Sequence, residues 1–481
     1  MLERLERIDQ FVRDTQQAVF VRQADQVLMI RPDKTFSVNP TATAILSALY
    51  ARQRPPTGEL LDELARELGA TPDQLLTDTE RLVETVGALL QGDFSERSNM
   101  RFAPFQGRVI EYPTLAEIAL TYDCQNRCQF CYAASPYREG EHRLMTTDEV
   151  RRVMDRIFHE AHVPSLSFTG GEATLRKDLP ELIRYGHELG FRVNLISNGV
   201  RPANREYAAT LAQAGLDSAQ ISVEAATGEL HDHIVGRSGA FAKTVAGVRN
   251  LCKLGLHVHT NTTLCAQNLD HAADIVRFVA RELKLKTLSM NMVIRTGVAL
   301  GSSTMEVSYR QVADTLPSLL EVARAERVTL VWYSPIPYCV FNPVLHELGA
   351  KSCACVDGIL SVDPSGQVLP CSSFGTGIGS LLTTPFEQIY RSGAARYWRD
   401  KRFVPPVCEE CSDVDICGGG CPLYWDAAGS FDELPRPGAA EDSDRRRWER
   451  RRKRGRSFGV PEPNRATNDD SCAAPCEGRE G

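Results

Sequence analysis

The chain has 481 residues, too many for one ordinary hydrophobic core, so roughly two to four domains are expected. Hydrophobic residues make up 42% and charged residues 24%, the balance of a soluble globular protein, and a formal net charge of −7 argues against bulk binding to nucleic acid. The start, Met1-Leu-Glu-Arg-Leu-Glu-Arg, has no apolar signal core, and no run approaches the roughly 18 apolar residues of a spanning helix, so a cytoplasmic location without a membrane partner is expected.

Residues 1–95 read as a small α+β unit. Residues 18–22 and 26–31 are short apolar runs, and 34–38 suit a third strand. Asn39-Pro40 suits a helix start, with Asn as cap and Pro in the first turn. Leu46, Leu49 and Tyr50 share one helical face. Leu60, Leu61, Leu64 and Leu68 repeat at helical spacing, as do Leu75, Leu82, Val83, Val86 and Leu89. Gly92 follows where a helix commonly stops, and residues 95–107 read as a linker.

Residues 115–333 alternate strand and helix. The strand-like runs are 117–122, 165–168, 192–196, 219–223, 257–262 and 287–292. Thr146-Thr147-Asp148-Glu149 is a capping-box pattern, and a helix over 180–189 should stop at Gly190. Six such units predict an α/β fold with a parallel sheet and right-handed crossovers, a partial (β/α)6 barrel rather than a flat sheet. Ligands then collect at the carboxyl ends of the strands. Residues 335–425 lose this rhythm and become rich in Cys, Gly and Pro, so bound metal would have to serve as their core. Residues 426–481 form a polar tail with a basic run over 445–456, most simply a solvated segment.

The chain carries 15 cysteines, and in a reducing compartment grouped cysteines bind metal or do chemistry more often than they pair. The sharpest group is Cys124-Gln-Asn-Arg-Cys128-Gln-Phe-Cys131, just after the first barrel strand. A cubane cluster takes one thiolate per iron, so three thiolates leave one iron open. A zinc knuckle is the plainer alternative, but no His or fourth Cys stands at ligand spacing. Gly170-Gly171-Glu172 follows at the end of the second strand. The glycines allow close backbone approach, and Glu172 is a candidate acceptor for an ammonium.

The Cys-x3-Cys-x2-Cys spacing, with aromatic Phe130 before its last Cys, together with Gly170-Gly171-Glu172, resembles the radical S-adenosylmethionine (SAM) superfamily. The resemblance implies a [4Fe–4S] cluster on Cys124, Cys128 and Cys131, with SAM chelated at the open iron. Phe130, Gly170, Gly171 and Glu172 would line the SAM site. Ser197-Asn198-Gly199 resembles the third strand end, and Ser222 and Glu224 the fourth, where polar groups meet the ribose or carboxylate of SAM. His257 and His259 share one strand face without a trusted ligand pattern.

Further on, Cys355-x10-Gly366-x4-Cys371 and Cys408-x2-Cys411-x5-Cys417-x3-Cys421 resemble the SPASM domain, which houses two auxiliary [4Fe–4S] clusters. By that resemblance Cys355, Cys371 and Cys421 hold the first, with Cys353 or Cys339 as fourth ligand. Cys408, Cys411 and Cys417 hold the second with a late cysteine, Cys472 or its neighbour Cys476. A zinc ribbon is the alternative that Cys-x2-Cys pairs suggest. The three strands and three helices of residues 1–95, with Asn39-Pro-Thr-Ala-Thr-Ala-Ile-Leu at the turn, resemble PqqD-like modules that bind the leader of a ribosomally made precursor peptide. That outline also occurs in winged-helix DNA binders, but the helices show no face rich in Lys and Arg.

The combined resemblance implies a radical SAM maturase that abstracts hydrogen from a precursor peptide through a 5′-deoxyadenosyl radical, with an oxidative crosslink as the expected outcome. Its partners would be that peptide and a reducing donor such as flavodoxin or ferredoxin. Alternatives are a sulfatase-type protein maturase, a non-catalytic peptide chaperone, or a DNA-binding iron–sulfur sensor. The intact cysteine and Gly-Gly-Glu motifs disfavour the non-catalytic readings.

Overall fold

Alternating apolar runs build the first unit. Helix α1 (Leu2–Thr15) precedes the strands β1 (Val19–Arg22), β2 (Val27–Ile30) and β3 (Lys34–Ser37), which pair antiparallel in that order. Helices α2 (Pro40–Leu49), α3 (Thr57–Leu68) and α4 (Pro72–Leu90) follow. The Asn39 side chain accepts the Ala42 N–H at 2.8 Å and starts α2 as its sequence predicts. Ile8, Val12, Ile45, Leu49, Leu61 and Leu75 close one small core. The computed structural model describes residues 1–31, 34–95, 110–135, 143–302 and 304–435.

The second region repeats strand and helix: β4 (Leu115–Ala119), α5 (Thr147–His159), β5 (Ser165–Thr169), α6 (Leu179–Leu189), β6 (Arg192–Ser197), α7 (Arg205–Gln213), β7 (Ser218–Ser222), α8 (Gly228–Val235), α9 (Ala240–Lys253), β8 (His257–Leu264), α10 (Ala272–Arg281), β9 (Thr287–Met292), α11 (Tyr309–Ala325) and β10 (Thr329–Trp332). Strands β4 to β10 pair parallel in chain order. The capping box at Thr146 and Glu149 forms at α5, and α6 ends on left-handed Gly190.

Alternation splits each strand. Ile118, Phe168, Leu195, Ile221, Thr260 and Met290 are buried on the helix side with Val153, Leu182 and Val248. The opposite face is polar and internally bonded. Asn194 bridges Ser167 and Ser218 at 3.1 and 2.8 Å, and Asn261 donates to Asn291 at 2.9 Å. His259 meets Gln220 on this same face at 3.1 Å.

The Cys-rich segment contributes β11 (Ile359–Val362), β12 (Gln367–Leu369) and β13 (Gly379–Ser380), then short helices α12 (Phe386–Tyr390), α13 (Gly393–Arg399), α14 (Val414–Cys417) and α15 (Pro422–Ala428). Its strands are not a separate sheet. β11 pairs parallel with β4, Ser361 beside Glu117, so one ten-stranded sheet runs from β10 to β13. The first unit docks through Arg22. Its guanidinium donates to the carbonyls of Pro113 and Tyr112 at 2.8 and 3.1 Å while paired with Asp25 at 2.8 Å, and both side chains are almost fully buried.

Candidate active site and thiol clusters

All the expected SAM-site residues fall where consecutive parallel strands end, as the parallel fold requires. Residues 120–135 leave β4 and carry Cys124, Cys128 and Cys131. Backbone bonds pin this loop on several sides: Gly171 N–H donates to Thr121 O at 2.7 Å, Glu172 N–H to Asp123 O at 2.9 Å, Arg127 N–H to Val235 O at 2.9 Å, and Val298 N–H to Cys131 O at 3.0 Å. The approach of the β5 loop needs glycine. A side-chain carbon on Gly170, where φ is +137°, would lie 2.1 Å from Thr121 O, and one on Gly171 2.3 Å from Tyr122 O.

The three thiols face one another, and Phe130 packs half-buried beside them against the main core. Burial, then the nearby Glu172 charge, pushes the Cys124 thiol up to about 12. Burial pushes Cys128 well up too, with Cys131, Cys124 and Glu224 adding to it. Three converging soft thiol donors suit the iron of an iron–sulfur cluster.

Glu172 is fully buried, and its carboxylate is already engaged. It accepts from Thr174 N–H and Oγ1 at 3.1 and 2.6 Å, from Ser197 Oγ at 2.8 Å and from Asn198 N–H at 2.8 Å. Four donors fill the acceptor sites of a carboxylate. The acceptor expected for an ammonium is therefore spent inside the protein, tying the β5 loop to the β6 loop. Asn198, which the sequence marks only as a strand end, also lies 3.8 Å from Cys124 Sγ through Nδ2 and accepts from Gln125 at 3.0 Å.

Ser222 ends β7, and Glu224 follows in the loop. Glu224 is buried, accepts the Thr263 N–H at 2.9 Å, and is pushed by that burial up to about 8. One acid that motif reading missed is Glu117 on β4. It is buried, accepts from Ser361 Oγ at 2.6 Å and from Ser372, and borders a small cavity with Tyr122, Tyr132 and Gly170. An acidic residue in an otherwise apolar strand is its sequence signal.

In the Cys-rich segment, Cys353, Cys355, Cys371 and Cys421 come together. The sulfurs of Cys353 and Cys355 are 3.3 Å apart, Cys371 contacts Cys355, and Cys421 feels the charges of Cys353 and Cys371. Of the two fourth ligands expected for this set, it is Cys353 that joins it. Cys408, Cys411 and Cys417 form a second group, Cys417 buried and Cys411 exposed. Cys472, Cys476 and the basic run lie outside the described residues.

Comparison with known proteins gives three matched families: "Radical SAM superfamily" over residues 118–279, "Iron-sulfur cluster-binding domain" (SPASM) over 353–412, and "Coenzyme PQQ synthesis protein D (PqqD)" over 26–88. PqqA peptide cyclase of Rhodopseudomonas palustris is 30% identical over 318 residues, covering 64% of this chain and 82% of the relative. The chain belongs to the radical SAM superfamily. Radical SAM and SPASM domains imply a SAM-binding [4Fe–4S] cluster, auxiliary clusters and SAM itself, and the thiol groups above have the donor chemistry for them. This radical SAM chain is also similar to AdoMet-dependent heme synthase of Oleidesulfovibrio alaskensis, 28% identical over 318 residues, 62% of this chain and 80% of that one. In fold it matches the crystal structure of Streptococcus suis SuiB bound to precursor peptide SuiA, with TM-score 0.64 and 14% identity over 85% of this chain and 95% of that one. No helix among the described residues is long and apolar enough to cross a membrane.

Proposed function

We propose that this radical SAM enzyme modifies a ribosomally made precursor peptide. The supporting observation is one arrangement: a PqqD-like unit docked by Arg22 onto a barrel whose strand ends carry Cys124, Cys128, Cys131 and the Gly170-Gly171 loop. When bound there, a reduced cluster and SAM supply a 5′-deoxyadenosyl radical able to take hydrogen from carbon. The chain's own residues do the rest. Cys124, Cys128 and Cys131 would hold the cluster, and Phe130 packs beside their loop. The backbone of Gly170 and Gly171 lets SAM approach closely, Glu172 fixes that loop, and Ser222 and Glu224 offer polar contacts from the β7 end. Selectivity would then depend on how the strand ends position the target carbon at the radical.

The edge strand β3 pairs only with β2 among the described residues and is suited to add a leader strand beside the helices α2 to α4. The expected product is an oxidative crosslink; the Cys353/Cys355/Cys371/Cys421 and Cys408/Cys411/Cys417 groups would hold auxiliary clusters that supply one-electron redox chemistry, and a flavodoxin- or ferredoxin-type donor is the expected partner. Similarity to heme synthase favours a second reading, in which the substrate is a haem precursor; the PqqD-like unit favours peptide.

The deciding experiment co-expresses the chain with a candidate precursor peptide, sought among short open reading frames beside its gene, and weighs the peptide. Loss of two hydrogens per modification means oxidation, and unchanged mass with an inverted residue means epimerisation. Reduced protein that forms 5′-deoxyadenosine yet never alters the peptide, but does alter a haem precursor, supports the second reading. Removal of residues 1–95 should spare SAM cleavage and abolish most peptide modification, since only substrate delivery is lost.

A further inference from the structure

We infer that Cys339 is the fourth thiolate of the second auxiliary cluster, beside Cys408, Cys411 and Cys417, so that this cluster closes without a ligand from the tail. The inference rests on the reading of those three cysteines as a cluster site.

Cys339 is isolated in the sequence, between β10 and the Cys-rich strands. One hydrogen bond and one turn place it at the second group. The N–H of its neighbour Tyr338 donates to Cys417 Sγ at 3.3 Å. A turn closed by Val340 and Phe341 N–H on Pro337 O, at 2.9 and 3.0 Å, then turns residue 339 outward beside that sulfur. The turn is held from outside: Tyr338 Oη accepts the Lys351 N–H at 3.1 Å.

The surroundings agree with this placement. The Cys339 thiol is raised by burial and then by Cys417 and Cys411, and the Cys408 thiol by burial and then by Cys417, Cys339 and Cys411. Cys353, Cys355, Cys371 and Cys421 are absent from both sets of causes.

The chain also has a device that separates the two groups. Cys417 belongs to the second and Cys421 to the first, and between them Gly418, Gly419 and Gly420 all take left-handed φ, +64°, +69° and +87°. Three such steps in a row turn the backbone sharply, which residues with a side chain rarely allow. A side-chain carbon on Gly419 would sit 2.7 Å from Pro405 and 3.5 Å from Cys408 Sγ, and one on Gly420 would press on Pro337 at 3.1 Å. The glycines therefore let the Cys408 loop and the Pro337–Cys339 turn approach each other. The result is four thiols for each group, one set largely buried and the other reaching the surface through Cys339 and Cys411.

The test uses the full chain, reconstituted anaerobically with iron and sulfide, in a Cys124→Ala/Cys128→Ala/Cys131→Ala background so that only auxiliary clusters contribute. Iron is counted, and the reduced protein is examined by electron paramagnetic resonance. The background should hold about eight irons, at four per cubane. Cys339→Ala should lose about four irons or expose an iron that binds added imidazole with a changed spectrum. Cys339→Ser, close to the native side chain in size, should keep the fold and shift the spectrum of one cluster. The double variant Cys472→Ala/Cys476→Ala should leave iron count and spectrum unchanged. Unchanged iron and spectra in both Cys339 variants overturn the inference, as does loss of the second cluster in the tail variant alone. A Cys408→Ala/Cys411→Ala/Cys417→Ala variant separates the two levels: if it keeps all the iron, the cluster reading itself has failed.

Discussion

The N–H of Asn198 donates to the Glu172 carboxylate at 2.8 Å, joining the loop after β6 to the loop after β5. Glu172→Gln turns one acceptor into a donor facing Asn198 or the Thr174–Ser197 side, and a bond to a buried charge contributes about 1.5–3 kcal/mol. The variant should lose about 2–3 kcal/mol in denaturant unfolding. Its affinity for SAM in equilibrium dialysis should fall at least about tenfold, or 1.4 kcal/mol. Native SAM affinity in this variant would remove Glu172 from the architecture of the site.

Gly171→Ala sets a methyl 2.3 Å from Tyr122 O and 2.5 Å from Asp123 O, in the loop that leads to Cys124. Backbone cannot yield as a flexible side chain can. A displacement of the loop on the order of 1 Å costs about a hundredfold in rate, so 5′-deoxyadenosine formation should fall by about that factor. Gly69→Ala is the control. Gly69 also has positive φ, +67°, but nothing lies within 4 Å of the added carbon. It should cost about 1 kcal/mol of stability and spare SAM cleavage.

His231 on α8 is buried, and its Nδ1 accepts the Glu224 N–H at 3.1 Å. Burial pushes its pKa down to about 4, with Asp232 opposing. The folded state then binds fewer protons than the unfolded chain between the ordinary histidine value and about 4. Stability is full above about pH 6.5 and falls as acid carries the protein down through about pH 4, by about 3 kcal/mol at most. His231→Asn keeps an acceptor near Nδ1 and removes the titration. Its unfolding free energy should lose this slope between pH 6.5 and 4; an identical acid limb would assign the effect elsewhere.

Arg22 and Asp25, with side chains only 1% and 2% exposed, form the joint between the first unit and the barrel. Removing one partner of such a buried pair costs about 3–5 kcal/mol. Arg22→Ala should split thermal unfolding into two transitions, the first unit melting earlier. Arg22→Lys should not rescue it, because one ammonium cannot reproduce the fork that meets Asp25, Pro113 and Tyr112 together. Peptide modification should fall while SAM cleavage persists; a single unshifted transition would show that the joint is held elsewhere.

Features set by short-range chemistry are legible in the sequence. The Asn39 cap, the Thr146–Glu149 box, the stop at Gly190 and the strand–helix alternation all reappear in space, and so does the neighbourhood of the cysteine loop and Gly170-Gly171. The Leu5, Ile8 and Val12 spacing also marks α1, whose apolar face joins the first core. Non-local pairing has no local period to read. Nothing in residues 359–362 says that they lie beside β4, and nothing around Cys339 says that it meets Cys417. The filled carboxylate of Glu172 is partly of the same kind, since two of its four donors, Ser197 Oγ and Asn198 N–H, come from a loop that only the fold brings near.

The pairing of β11 with β4 has a consequence for how this chain is made. Ser361 reaches Glu117 across 244 positions of sequence, so as the polypeptide leaves the ribosome β4 has to wait for its neighbour. Until then the strand that leads into Cys124 keeps an open edge, and the Glu117 carboxylate lacks the Ser361 and Ser372 hydroxyls that it accepts from. Open edges invite pairing with other chains, and contacts this distant form slowly. A nascent chain halted near residue 335 is therefore the vulnerable species. Completion of the sheet beside the first cysteine loop is thus a late event in its synthesis.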